Sequence, residues 1–178
     1  HIMRKFLLST AAAALLAASG AASADVQKLG TISTVIPESF NSIVEKGDFV
    51  DFFKFTLASD ISHAGFSIID LQVPGLFNVR FDSFALFSNA DGKIGNGDDI
   101  RLAFNDTTSG KGLSFDFGPT IAGKYYLMVS GQGLGALGGL YNGSISVAAV
   151  PEPESFAMML AGLGLMGTIA RRRNKANS

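Results

Sequence analysis

Two kinds of apolar pattern divide the chain. Largely apolar runs occur near its ends, at Phe6–Ala18 and Phe156–Ala170, and between them apolar and polar residues alternate in short stretches. Alternation with a period of two marks strands that bury one face. Within Phe49–Leu57 it puts Phe49, Asp51, Phe53, Phe55 and Leu57 on one face and Val50, Phe52, Lys54 and Thr56 on the other. In the same way Tyr125, Leu127 and Val129 oppose Tyr126, Met128 and Ser130. The pattern predicts strands at Gln27–Val35, Asp48–Leu57, Ala64–Val73, Phe77–Phe87, Ile100–Phe104, Leu113–Phe117, Lys124–Ser130 and Tyr141–Val147. Gly, Asn, Asp and Ser punctuate them, notably at Asn89–Gly97, Thr108–Gly112, Ala122-Gly123 and Gly131–Gly139. So many short strands in one domain, residues 25–149, predict an all-β antiparallel sandwich or jelly roll.

The apolar ends have a different logic. His1 and Ile2 precede the first methionine and read as a cloning remnant. Residues 3–24 read as a secretory signal peptide: Arg4 and Lys5 give the charged start, Phe6–Ala18 the apolar stretch, and Ala22 and Ala24 the small residues for signal-peptidase cleavage before Asp25. At the other end, Pro151-Glu152-Pro153 interrupts the sheet pattern, Phe156–Ala170 follows as an apolar helix, and Arg171-Arg172-Arg173 stops it. Such a helix is about 22 Å long at about 1.5 Å per residue, short for a hydrocarbon core of about 30 Å. With thinning and arginine snorkelling it is expected to act as a transmembrane helix, its arginines on the cytoplasmic side. Residues 174–178 form a short tail.

Composition narrows the function. There is no cysteine, which excludes disulfides and thiolate chemistry. Fifteen Phe and no Trp imply a core stacked on phenylalanine. The net charge of −1 conceals an acidic middle: Asp25–Glu152 holds eight Lys/Arg and fourteen Asp/Glu, a balance of −6. That argues against a nucleic-acid partner, which needs basic surface.

The order Pro151-Glu152-Pro153, apolar helix, Arg171–Arg173 resembles the PEP-CTERM sorting signal. The resemblance implies recognition by an exosortase, a membrane protease-transpeptidase. Export would be followed by transient anchoring at the inner membrane, then transfer to the cell envelope or extracellular matrix of a bacterium that makes exopolysaccharide. The same motif is sometimes labelled an ice-binding-protein C-terminal domain. Phe49-x-Asp51-x-Phe53 resembles the motif of FxDxF-type PEP-CTERM proteins. The segments around Gly47–Leu57, Phe81–Asp99, Ile121–Gly131 and Gly138–Val147 are similar in order to bacterial pre-peptidase C-terminal domains, which are jelly rolls.

Candidate chemistry is sparse. Asp51 stands among phenylalanines on the inward face; it is read as a carboxylate bonded to backbone N–H groups, with a calcium link as the alternative. The loop Asn89–Asp99 offers Asn89, Asp91, Asn96, Asp98 and Asp99 as oxygen donors, but its spacing is not that of an EF-hand. It is read as a solvated acidic turn, with calcium the alternative, so no cofactor and no metal site is expected. His63 has no evident triad partner, no HExxH helix exists, and the adjacent Asp98 and Asp99 are expected to point apart rather than converge on a glycoside. Gly131–Gly139 is read as a flexible hairpin loop, without a P-loop lysine. The reading is an exported, non-catalytic envelope or matrix protein associated with exopolysaccharide or biofilm. A carbohydrate-binding module using Tyr125, Tyr126 or Tyr141 is the alternative; an ice-binding protein and a hydrolase stand behind it.

Overall fold

A computed structural model describes residues 23–151 and 153–176. In chain order it contains β1 (Ser23–Ile32), β2 (Glu38–Val44), β3 (Gly47–Leu57), β4 (Ile61–Asp70), β5 (Val79–Ser88), β6 (Arg101–Asn105), β7 (Gly112–Phe117), β8 (Gly123–Gly133), β9 (Gly139–Ala149) and α1 (Pro153–Ala176). The strands form a five-stranded sheet, β1-β3-β8-β5-β6, and a four-stranded sheet, β2-β9-β4-β7. Inner side chains from both sheets meet in one core, as in a sandwich. Every pairing between strands is antiparallel except β1 with β3. That exception follows from the order of sheets: β2 lies in the opposite sheet, so the chain crosses out and back, and β3 returns beside β1 in the same direction.

The alternation in β3 holds. Phe49, Asp51, Phe53, Phe55 and Leu57 are all buried on the core side. Tyr125, Leu127 and Val129 of β8 join them in the core, as the pattern predicts. The aromatic core is continuous: Phe40 meets Phe53 with ring centroids 4.2 Å apart, and Phe81 meets Tyr141 edge-on at 5.5 Å.

Strand β2 departs from the sequence reading, which placed nothing between Val35 and Asp48. Its inward positions are Phe40, Ser42 and Val44, so a hydroxyl interrupts the apolar face and hides the period. The Phe40 ring lies over its cross-strand partner Gly143, where an added Cβ would stand 2.2 Å from Phe40 Cζ. A glycine on β9 thus makes the room that β2 fills.

The glycine run also differs from expectation. Gly131 to Gly133 continue β8, and the turn after them is held by backbone bonds from Leu134 N to the Asn78 carbonyl and Leu137 N to the Leu76 carbonyl. A Cβ at Gly135 would lie 2.2 Å from the Leu76 carbonyl oxygen, and one at Gly138 2.0 Å from that of Val44. Close backbone approach, not flexibility, explains these glycines.

A second, smaller apolar cluster lies on the outer face of the five-stranded sheet. Phe52, Ala85, Phe87 and Tyr126 form it, with Ile94 from the β5–β6 loop packed against it. Phe87 and Tyr126 stack at 4.9 Å with rings nearly parallel, 6° apart. This cluster draws the loop back over the sheet and so positions its acidic residues.

Candidate functional site

Asp51 is 2% exposed, and its Oδ2 accepts hydrogen bonds from the Tyr141 hydroxyl at 2.6 Å and the Ser42 hydroxyl at 2.7 Å. The three residues come from β3, β9 and β2, so the bonds join the two sheets. Burial raises the Asp51 carboxyl above its ordinary value, while the Tyr141 and Ser42 bonds pull the other way. Burial likewise lifts the Tyr141 hydroxyl well above the usual phenol range, and the Asp51 charge adds to it. Phe49 stacks on Tyr141 at 5.8 Å and Phe53 meets its edge at 6.3 Å. The Phe-x-Asp-x-Phe stretch therefore grips one tyrosine, two rings by contact and one carboxylate by hydrogen bond. The donors expected were backbone N–H groups; the principal ones are side-chain hydroxyls distant in sequence.

The acidic loop between β5 and β6 is internally bonded. Asp91 Oδ1 accepts from Lys93 N at 2.8 Å and Oδ2 from Asn96 Nδ2 at 2.7 Å. Asp99 Oδ2 accepts from Gly95 N at 2.7 Å and from the Tyr126 hydroxyl at 3.1 Å. The Lys54 ammonium donates to the Gly92 carbonyl, pinning the tip. Gly92 has φ +80° and Gly95 φ +81°, a left-handed backbone that lets the loop turn twice. One carboxylate oxygen from each of Asp91, Asp98 and Asp99 lies within 4.8 Å of the others. Here the expectation that Asp98 and Asp99 diverge is corrected: they stand in the loop before β6, so strand alternation does not separate them. Burial, then the neighbouring Asp99 charge, raises the Tyr126 hydroxyl well above the phenol range.

The other candidates do not assemble. His63 Nε2 lies 3.5 Å from Asp116 Oδ1, both side chains largely exposed. The neighbouring Ser62 hydroxyl is occupied by the Ala148 and Ala149 carbonyls. A shallow groove of about 350 Å³ runs along β4 and β7, and neither carboxylate nor imidazole lines it. Tyr125, Tyr126 and Tyr141 are all buried, so none offers a ring face for a sugar. Thr31 and Thr56 are register partners on β1 and β3, but Thr107 and Thr108 before β7 and Thr120 before β8 lie on connections elsewhere, so no regular row forms and an ice-binding reading finds no support.

At the exit of β9 the chain passes Pro151 and enters α1, which begins at Pro153. Proline suits a helix start because its fixed φ is helical and its missing N–H would be unpaired there. Glu152 lies outside the described residues, as do Met3–Ala22 of the expected signal peptide, Ala22 among them. Ala24 is placed on β1, opposite Val50. Along α1 the apolar side chains are exposed, Phe156 at 54% and Met158 at 75% among them. Arg171, Arg172 and Arg173 stand in its last two turns, where the helix dipole favours cations. Among the described residues no helix is long and apolar enough to cross a membrane, which corrects the expected transmembrane helix. The apolar stretch of α1 stops at the arginines and starts only after Glu154.

Residues 149–174 match the family model for the PEP-CTERM protein-sorting motif. The chain carries that motif. Its described parts are the Pro151 linker and α1 with its arginines. No curated protein matches the chain. Among solved structures, the sandwich is similar to the pre-peptidase C-terminal domain of collagenase from Bacillus anthracis, with 19% identity over 72% of this chain and 99% of that one and a TM-score of 0.42. CorA, a surface-associated copper-binding protein of Methylomicrobium album BG8, is 10% identical over 68% of this chain and 99% of its own, TM-score 0.42. Chitosan-binding module 1 of a Paenibacillus sp. IK-5 chitosanase/glucanase is 12% identical over 59% of this chain and 74% of that one, TM-score 0.35.

Proposed function

We propose that this is an exported, non-catalytic protein of the cell envelope or extracellular matrix, delivered there by an exosortase that processes the tail at the PEP motif, and associated with exopolysaccharide. The observation that carries this reading is the PEP-CTERM motif at residues 149–174. The exposed apolar side chains of α1, ended by three arginines, support it: such a segment needs an apolar environment, which the inner membrane supplies before processing. Transient retention at that membrane precedes release. The non-catalytic part of the reading is supported by the dispersal of acid, base and nucleophile described above.

The test compares the full chain, a chain ending at Val150 and an Arg171→Gln/Arg172→Gln/Arg173→Gln variant in hosts with and without an exosortase. Fractionation should find the full chain in the matrix only when the exosortase is present, and the other two elsewhere. A distribution indifferent to both tail and enzyme would refute the sorting role.

A further inference from the structure

The β5–β6 loop holds more oxygen than it uses. Asn89 is 1% exposed, and neither atom of its side-chain amide has a hydrogen-bond partner. Asn96 Oδ1 and Asp99 Oδ1 are equally shielded from solvent and equally unpartnered. Leaving a buried polar group unpaired costs about 1–3 kcal/mol, so three such oxygens on one loop call for a missing partner. Their direction is set by the strand. Phe84 and Leu86 face the core while Ala85 and Phe87 face the outer cluster, and Asn89 keeps the ladder by donating its N–H to the Lys124 carbonyl. Alternation therefore sends the Asn89 side chain to the outer face, under the loop that Ile94 and Asp99 fasten to that same face. In the same loop the carboxylates of Asp91, Asp98 and Asp99 converge, and among the described residues none of them pairs with a Lys, Arg or His.

We propose that this loop is a divalent-cation site of the calcium class, with oxygen ligands drawn from Asn89, Asp91, Asn96, Asp98 and Asp99. The donor set is all oxygen, mixing carboxylates and side-chain amides, which suits a hard cation with a flexible coordination shell. Three of the leftover atoms, Asn89 Oδ1, Asn96 Oδ1 and Asp99 Oδ1, are acceptors, of the kind that a cation and not another hydrogen-bond acceptor would satisfy. Two of the carboxylates are already oriented, Asp91 by Lys93 N and Asn96 Nδ2, Asp99 by Gly95 N and Tyr126. Such outer bonds hold ligands in place for an ion. The inference is independent of the sorting role, because it concerns the sandwich and not the tail.

The full chain, stripped with chelator, is melted with and without calcium, and binding is measured by calorimetry. A site of the extracellular-module class would have a dissociation constant of about 0.1–1 mM. Calcium at about a hundredfold excess should then raise the melting temperature by roughly 5–10 °C. Asp91→Asn/Asp98→Asn, which keeps shape and removes charge, should remove most of that rise and weaken binding by about tenfold or more. Terbium supplies the location: the chain has no tryptophan, and Tyr126 touches Asp99, so bound terbium should luminesce on tyrosine excitation and lose that signal in Tyr126→Phe. Equal melting in calcium and chelator with no heat of binding would overturn the proposal. So would an undiminished rise in the double variant, or an equal rise from sodium chloride of matched ionic strength.

Discussion

Two aspartates in this protein each accept a hydrogen bond from a tyrosine, and their surroundings are opposite. Asp51 sits between the sheets, where the hydroxyls of Tyr141 and Ser42 both reach one oxygen. Asp99 sits outside them, with Tyr126 and Gly95 N on one oxygen and the other oxygen empty-handed beside two more carboxylates. The interior site is closed, and its partners are two hydroxyl donors. The outer site collects three carboxylates, and among the described residues none of them forms an ion pair. The first arrangement ties a fold together; the second is suited to receiving something.

The most severe way to break the interior site is Asp51→Ala, which strands two buried hydroxyls and opens a void. A loss of about 2–4 kcal/mol is expected in denaturant melts. The outer counterpart, Asp98→Ala in chelator, should stay within about 0.5 kcal/mol of wild type, since it removes an exposed carboxylate. Equal losses at the two positions would erase the distinction between them. Next in size, Tyr141→Phe takes a donor from a buried carboxylate and should cost about 1.5–3 kcal/mol at neutral pH. The penalty should shrink in acid, where Asp51 carries its own proton.

Acid titration sharpens the point. Burial raises the folded-state value of Asp51 above the ordinary carboxylate value, so the folded chain keeps a proton that the unfolded chain has released. Between those two values stability falls as pH rises, and the loss persists at neutral pH. Asp51→Asn has no such proton. Its melting temperature relative to wild type should therefore climb from about pH 4 to pH 7, and a flat difference would mean that Asp51 is not held protonated by burial. Tyr126→Phe should cost less than either interior change, about 0.5–1 kcal/mol, because Gly95 N still serves Asp99.

Much of this was legible beforehand. The facing of Phe49 to Leu57 and of Tyr125 to Val129 follows from period two alone, and eight of the nine strands lie where alternation puts them. What alternation could not give is partnership across the sandwich. Ser42 and Tyr141 lie 9 and 90 positions from Asp51, and nothing local marks them. The signal for Ser42 was present as Phe40-x-Ser42-x-Val44, a period-two strand with a hydroxyl in its middle. In the outer loop the acidic residues were evident in sequence. Their convergence was not, because it depends on Ile94 and Tyr126 closing the loop onto a sheet face that reads as solvent-exposed.

The order of the strands bears on how such a chain could be threaded through a membrane. β8 is paired on both sides, by β3 and β5, and β9 on both sides, by β2 and β4. The two strands that come last are thus the middle of the two sheets. A chain delivered N-terminus first can form only peripheral ribbons, β1 with β3, β4 with β7 and β5 with β6, until those strands arrive. Isolated ribbons of this kind are marginal in water, and long-range pairings of this kind form slowly. A polypeptide delivered in that order would remain an open thread for most of its passage, closing only as the segment just ahead of the tail emerged.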